Sequence, residues 1–239
     1  EAQRLGEPCS RPSSLTMELA PQVRAARIAS LERSGPIGAY KVSLSTSTWG
    51  ALPADRIVPS GTALRRDTLF DPLLEAELVF RVERDLPSGC PIDELLGNCS
   101  VAVAIEVADS RWQGWRPSKP DAFRIPDAAQ IEADNAVAGW LVFGGPWQPA
   151  AGLPLAEMAV VTRSRDAICA QGPLRDVMGG PGEALRWLAG QLEAAGRPLR
   201  AGQLVSSGCP CHELVTVPVG GGQWTVTVDG LGQVTVRFT

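Results

Sequence analysis

Three glutamates sit where strand geometry can bring their carboxylates together. Glu75 and Glu77 are two residues apart in Leu73-Leu-Glu-Ala-Glu-Leu-Val-Phe80, and Glu106 lies in Val101-Ala-Val-Ala-Ile-Glu-Val-Ala-Asp-Ser-Arg111. Alternate side chains on a strand share a face, so Glu75 and Glu77 project from the same side. In the second run Val101, Val103 and Ile105 form one apolar face, which puts Glu106 on the other beside the small Ala102 and Ala104. Like charges crowded in a β-rich interior destabilise the fold unless a cation neutralises them. Three carboxylates with no His or Cys nearby suit a hard divalent ion, Mg²⁺ or Mn²⁺, with water or substrate oxygens completing the shell. A Glu-x-Glu pair by itself also fits the solvated face of an amphipathic strand.

The elements that would position these groups follow from periodicity. A helix is expected over residues 17–33, with Pro21 tolerated in its first turn. Strands are expected over 38–44, 73–80, 101–111, 138–143, 158–162 and 203–206, and a terminal hairpin over 223–238. Residues 181–195 form the clearest helix: Leu185, Leu188, Leu192 and Ala195 mark one face, and Gly196 and Pro198 stop it. Residues 1–15 read as an irregular or truncated lead-in, and 50–66 as a loop. A long proline-containing connection over 112–131 reads as a lid over the carboxylates. The sum is an α+β, β-rich fold with a few peripheral helices, expected as one domain over 1–239.

Composition narrows the function. The 239 residues carry a net charge of −4, and no basic stripe interleaved with aromatics occurs, which argues against a nucleic-acid partner. Apolar runs are strand-sized, short of the roughly twenty residues a membrane helix needs, so no membrane partner is expected. A cytoplasmic location is expected, with periplasmic export as the alternative; a chain opening at Glu1 fits the loss of a leader or a first helix. The six cysteines are too sparse for a small secreted disulfide framework. Buried free thiols are expected, a Cys90–Cys99 bridge being the alternative in an exported protein. Cys209-Pro-Cys211-His212 looks like half a zinc site, but His212 is the sole histidine.

Seven segments, in order, resemble the fumarylacetoacetate hydrolase superfamily, in its branch of 2-keto-4-pentenoate hydratases and 4-oxalocrotonate decarboxylases. They are Gly38-Ala-Tyr-Lys-Val-Ser-Leu44, Glu75-Ala-Glu77, Ile105-Glu-Val-Ala-Asp-Ser-Arg111, Ala133-Asp-Asn-Ala136, Leu185-Arg-Trp-Leu-Ala189, Leu199-Arg-Ala-Gly202 and Gly230-Leu-Gly-Gln-Val-Thr-Val-Arg-Phe238. The resemblance implies a mixed β-roll or sandwich like that family's C-terminal domain. It implies Glu75, Glu77 and Glu106 as ligands of Mg²⁺ or Mn²⁺, Lys41 and Asp55 as catalytic residues, and Asn135 and Ser207 as substrate-binding. The implied substrate is a small 2-oxo or 2-hydroxydienoic acid, hydrated to a 4-hydroxy-2-oxoacid, in a homo-oligomer. Decarboxylation of a 2-oxo-3-enedioate, or a non-catalytic relative that keeps the fold, are the alternatives.

The sequence also departs from the family pattern. Against the pattern the resemblance implies, the family's first helix is expected to be missing, Val137 stands where Ser is usual, and Gly179-Gly-Pro181 replaces Gly-His-Pro. A late turn reads Ser206-Ser-Gly-Cys-Pro-Cys211, which leaves substrate contact there to Ser206 or Ser207. Without a Glu-His pair, hydrolysis of the fumarylacetoacetate type is disfavoured.

Overall fold

A computed structural model describes residues 7–86 and 89–239; the lead-in expected over 1–15 lies partly outside them. Among the described residues two sheets carry the fold. The larger contains β1 (Ile37–Ser43), β2 (Thr48–Pro53), β3 (Ile57–Pro59), β5 (Leu73–Val82), β6 (Cys99–Ala108), β7 (Ala138–Phe143) and β11 (Leu204–Ser206), in the order β2-β1-β11-β5-β6-β7-β3. The short β8 (Gln148–Pro149) pairs with β6, and β12 (Val215–Thr216) with β5. The second sheet runs β10-β9-β13-β14-β4, where β4 is Ala63–Leu64, β9 Ala159–Ser164, β10 Ala167–Pro173, β13 Gly222–Val228 and β14 Gly232–Phe238. Most pairs are antiparallel; β1 with β11, β3 with β7 and β14 with β4 are parallel.

Alternation in β5 and β6 sorts their side chains onto two faces, as period-two patterning requires. Leu78, Phe80, Val101, Val103, Ile105 and Val107 enter the main core, together with Val226, Val234 and Val236 of the second sheet. The opposite face carries Val79, Ala102, Ala104 and Leu141, a floor of mostly small side chains. Two elements at far places in the large sheet, β2 and β7, lie against each other, so this second face is rolled inward.

Among the described residues four α-helices are peripheral: α1 (Ala20–Glu32), α2 (Ile92–Gly97), α3 (Ala128–Ala133) and α4 (Pro181–Ala194). Helix α1 begins three residues later than the periodicity suggests, which keeps Pro21 in the first turn where its missing N–H costs nothing. Leu185, Leu188 and Leu192 of α4 are buried in the main core as expected, whereas Ala195 lies just past the helix end and is exposed.

The expected loop over 50–66 instead contains the end of β2 and the short β3 and β4. The segment 112–131, expected as a lid, makes hydrogen bonds beside the start of β5. Trp115 Nε1 and the Ser118 backbone N–H and hydroxyl donate to the Asp71 backbone and carboxylate, and Arg11 donates to the Gln113 and Ile125 carbonyls, so the segment is tied down beside the start of β5. All six cysteines are free thiols, and only Cys99 is buried.

Candidate metal centre

The β5–β6 ladder sets Glu75 opposite Glu106 and Glu77 opposite Ala104. Residues directly opposite share a face, so the register puts all three carboxylates on the inward-rolled side. Each offers one oxygen to a group whose members lie within 4.8 Å of one another. Glu77 and Glu106 are fully buried, while the side chain of Glu75 is 31% exposed.

Lys41 reaches the same group from β1. Its Nζ lies 2.6 Å from Glu106 Oε2 and 3.8 Å from Glu75 Oε2, and it donates to the Ala136 carbonyl at 3.2 Å. Strands β11 and β5 separate β1 from β6. Three interstrand steps would span about 14 Å in a flat sheet, so the contact follows from the roll.

The Ala136 carbonyl is aimed by strained backbone: Asn135, Ala136 and Val137 have φ of 59°, 52° and 53°, in the left-handed region. Two clamps hold that turn. Asp134 accepts from the Ser110 hydroxyl at 2.8 Å and from Arg111 Nε at 2.5 Å. Asn135 accepts from the Ala51 N–H and donates to the Ala51 carbonyl, both at 2.8 Å. Gly50, opposite Lys41 in β2, is what lets the turn approach, because a Cβ there would collide with the Asn135 carbonyl.

Glu77 is fixed through Oε2, which accepts from the Ser206 hydroxyl and from the Gly208 N–H at 2.8 Å. Oε1 of Glu77 and Oε1 of Glu106 are buried and meet no donor among the described residues. Burial and then the charge of Glu75 push Glu77 up to about 7, against the pull of Lys41 and its two donors. Burial raises Glu106 well above its ordinary value, although Lys41 opposes it. Burial would depress Lys41, but Glu106, Glu75 and Glu77 together outweigh that and hold its ammonium above the usual lysine value. A divalent cation would resolve what one lysine leaves over: two unpartnered buried oxygens and excess negative charge. The all-oxygen donor set fits a hard ion.

Glu75 opens onto a cavity of ≈ 370 Å³. Its walls include Leu44, Leu73 and Val215, and also Asp176 and the Cys209–His212 stretch. Within this wall Cys211 N–H donates to Cys209 Sγ at 3.4 Å. Asp176 carried no signal in the sequence. Cys209, Cys211 and His212 did, but in a half-zinc pattern that did not point to the carboxylates.

The structure gathers Glu75, Glu77, Glu106 and Lys41, and places the other expected site residues differently. Asp55 is exposed in a short 3-10 turn following Pro53, beyond the end of β2 remote from Gly50 and Lys41. Three strand residues from Gly50 to Pro53 already span about 10 Å, so Asp55 is outside the group. Asn135 is buried with both ends of its amide hydrogen-bonded to Ala51, which makes it a clamp on the backbone turn. The Ser207 hydroxyl accepts from Leu78 N–H at 3.2 Å and donates to the Gly208 carbonyl at 3.3 Å. It therefore faces the sheet backbone, and its neighbour Ser206 is the one that touches the carboxylates. No described residue between 112 and 131 lines the cavity.

No family model matches the chain. Among curated proteins it is 32% identical to 2-keto-4-pentenoate hydratase 1 of Dechloromonas aromatica over 192 residues, 80% of this chain and 69% of that protein. It is 31% identical to 2-hydroxyhexa-2,4-dienoate hydratase of Comamonas testosteroni over 75% of this chain and 65% of that one. Among solved structures, 4-oxalocrotonate decarboxylase from Pseudomonas putida G7, complexed with magnesium and adipate, aligns with a TM-score of 0.85 at 24% identity, covering 100% of this chain and 93% of that one. Fumarylpyruvate hydrolase from Pseudomonas aeruginosa, in complex with Mn²⁺ and pyruvate, aligns with a TM-score of 0.59 at 17% identity, covering 84% and 88%.

Proposed function

The chain belongs to the hydratase branch of the fumarylacetoacetate hydrolase superfamily, and from that membership we propose that it is a divalent-metal-dependent hydro-lyase acting on a small 2-hydroxy-2,4-dienoate to give a 4-hydroxy-2-oxoacid. The observation that carries this reading is the trio Glu75, Glu77 and Glu106 beside Lys41, with two buried oxygens lacking donors and Glu75 open to the cavity. Residues 1–239 are read as one catalytic unit, since a single core cluster runs from Ile28 to Phe238. A homo-oligomer is part of the reading, supported by the exposed Met17, Leu19 and Val23. A reducing, cytoplasmic setting is part of it too, supported by the free thiols. No helix among the described residues is long and apolar enough to cross a membrane.

Glu75, Glu77 and Glu106 would hold Mg²⁺ or Mn²⁺. Bound there, the ion supplies Lewis acidity toward the carboxylate and 2-oxygen of a 2-oxoacid. Lys41, kept charged by its carboxylate neighbours, sets a fixed positive charge beside the place where negative charge develops as the dienol ketonises. Proton transfer to and from the diene carbons falls to groups on the cavity wall, where Asp176 and His212 have the right chemistry. Leu44, Leu73 and Val215 line the same space, contact the hydrocarbon end of the substrate and limit the water that can reach it.

The decarboxylase reading is the weaker one. A 2-oxo-3-enedioate would carry its second carboxylate into a cavity whose wall holds Glu75, Asp176 and Glu213 and, among the described residues, no arginine or lysine. A monocarboxylic substrate avoids that repulsion. Turnover of 2-hydroxypenta-2,4-dienoate, followed by loss of its ultraviolet absorbance with and without Mg²⁺, tests the proposal. Inactivity over a panel of short dienoates, with Mg²⁺ binding retained, would favour a non-catalytic relative.

A further inference from the structure

Cys209-Pro210-Cys211 takes no part in the hydration chemistry, yet both sulfur-bearing residues line the cavity beside Glu75. We propose that Cys209 and Cys211 form a peroxide-reactive dithiol, a modification site that closes to a disulfide at the cavity wall and suppresses turnover; the effect on turnover rests on the hydratase reading, the modification does not.

The geometry is already close to what bond formation needs. The Cys211 N–H donates to Cys209 Sγ at 3.4 Å, and both residues line the same cavity wall. Residues two apart have Cα atoms separated by at most about 7 Å even when fully extended, and disulfides accept separations up to about 6.8 Å. The backbone over 207–212 is irregular and not part of a strand, so closure does not require any sheet pairing to break.

The chemistry balances with hydrogen peroxide as oxidant. The Cys211 thiolate attacks one peroxide oxygen and the O–O bond breaks; the departing hydroxide takes up a proton to become water, leaving a sulfenic acid. The Cys209 sulfur then attacks the Cys211 sulfur, the S–O bond breaks, and the second hydroxide leaves as water with the Cys209 proton. Two thiols lose two electrons and two protons, and one peroxide becomes two waters. Cys211, next to the exposed His212, is assigned the attack, and Cys209, next to the buried Gly208, resolves.

Closure would reach the carboxylates through one residue. Gly208, adjacent to Cys209 and at φ +97°, gives its N–H to Glu77. Constraining the 209–211 ring pulls on that donor and removes two thiols from the wall. The remaining cysteines supply controls: Cys9 is exposed, and Cys99 is buried with its thiol pushed up to about 12.

Titrating the fully reduced chain with hydrogen peroxide and mapping its peptides by mass tests the site without any substrate. The expected result is loss of two hydrogens in the peptide containing 209–211 while the Cys9 and Cys169 peptides stay reduced, with reversal by dithiothreitol and a parallel loss and recovery of turnover. The Cys209→Ser variant should stop at a Cys211 sulfenic acid that dimedone traps, and Cys211→Ser should leave Cys209 reduced at the same dose. Oxidation of Cys9 before the pair, or unchanged peroxide reactivity at Cys209 in Cys211→Ser, overturns the proposal. Disulfide formation with full turnover overturns only its link to activity.

Discussion

Glu75 and Glu106 are direct cross-strand partners, two carboxylates in register on the rolled face of the β5–β6 ladder. Like charges directly opposite one another destabilise a sheet, and Glu77 adds a third from the same strand. Lys41 offsets part of this from β1, at 2.6 Å from Glu106. The arrangement weakens the fold when no ion is bound and would be relieved by a cation that binds only the folded state.

That relation gives a pH dependence. The folded Glu77 carboxyl titrates near 7, above its ordinary value of 4.5. A raised carboxyl contributes stability below the unfolded value and loses it as pH climbs through the folded one. Metal-free protein should therefore lose up to about 3 kcal/mol from this group between pH 4.5 and 7.5. Glu77→Gln can still accept from Ser206 and Gly208 and should melt higher than metal-free wild type at pH 7.5, with the gap closing by pH 4.5. Thermal melts across pH check this; an equal gap at all pH values would mean that ionisation is not the cause.

Lys41 is the counter-charge that the trio needs when no ion is bound. Lys41→Met should destabilise the metal-free protein by about 3–5 kcal/mol, the usual cost of breaking a buried ion pair from one side. Added Mg²⁺ should recover much of that loss in melting temperature while kcat stays low. A Tm penalty of the same size with and without Mg²⁺ would instead make Lys41 a packing residue.

The trio was legible because β5 and β6 keep strict alternation, with alanines where the carboxylates need space and valines on the reverse. The second strand β2 was not, since Gly50 and Pro53 read as loop residues. Gly50 is in fact demanded by the Asn135 carbonyl, a long-range contact that no local pattern reveals. Asp55 shows the same limit: the resemblance implies an acidic residue at its place in the chain ahead of Glu75, while β2 carries it past the end of β1. Ser206 and Ser207 were both visible as hydroxyls, and only the exit of β11 beside β5 decides which one meets Glu77.

Asp55→Ala should leave kcat within about twofold of wild type, as expected of an exposed residue away from the reacting groups. Steady-state kinetics on the dienoate decides it. A drop of tenfold or more in kcat would mean that Asp55 reaches a site in the assembled enzyme after all.

Ser206 and Ser207 separate a ligand-orienting hydroxyl from a structural one. Ser206→Ala removes a donor to Glu77 and should weaken Mg²⁺ binding about 10-fold, the lower end for loss of an outer partner to a metal ligand. Ser207→Ala strips a partner from the Leu78 N–H and should instead lower stability by about 1 kcal/mol, with Mg²⁺ affinity kept. Calorimetric titration with Mg²⁺ beside thermal melts would show the reverse ordering if Ser207 were the one facing the site.

Asn135 gives the sharpest test of a clamp against a substrate ligand. Its amide makes two hydrogen bonds to Ala51 and holds three successive residues at positive φ, so that the Ala136 carbonyl meets Lys41. Asn135→Ala gives up both bonds and places a residue less tolerant of the left-handed region there, a loss of about 2–4 kcal/mol. With the turn loosened, Lys41 is no longer aimed, and kcat should fall more than KM rises. Asn135→Asp keeps the acceptor for Ala51 N–H and should recover part of the stability. An alanine variant of normal stability whose KM alone rises would return Asn135 to the substrate, because a clamp cannot be removed without cost to the fold.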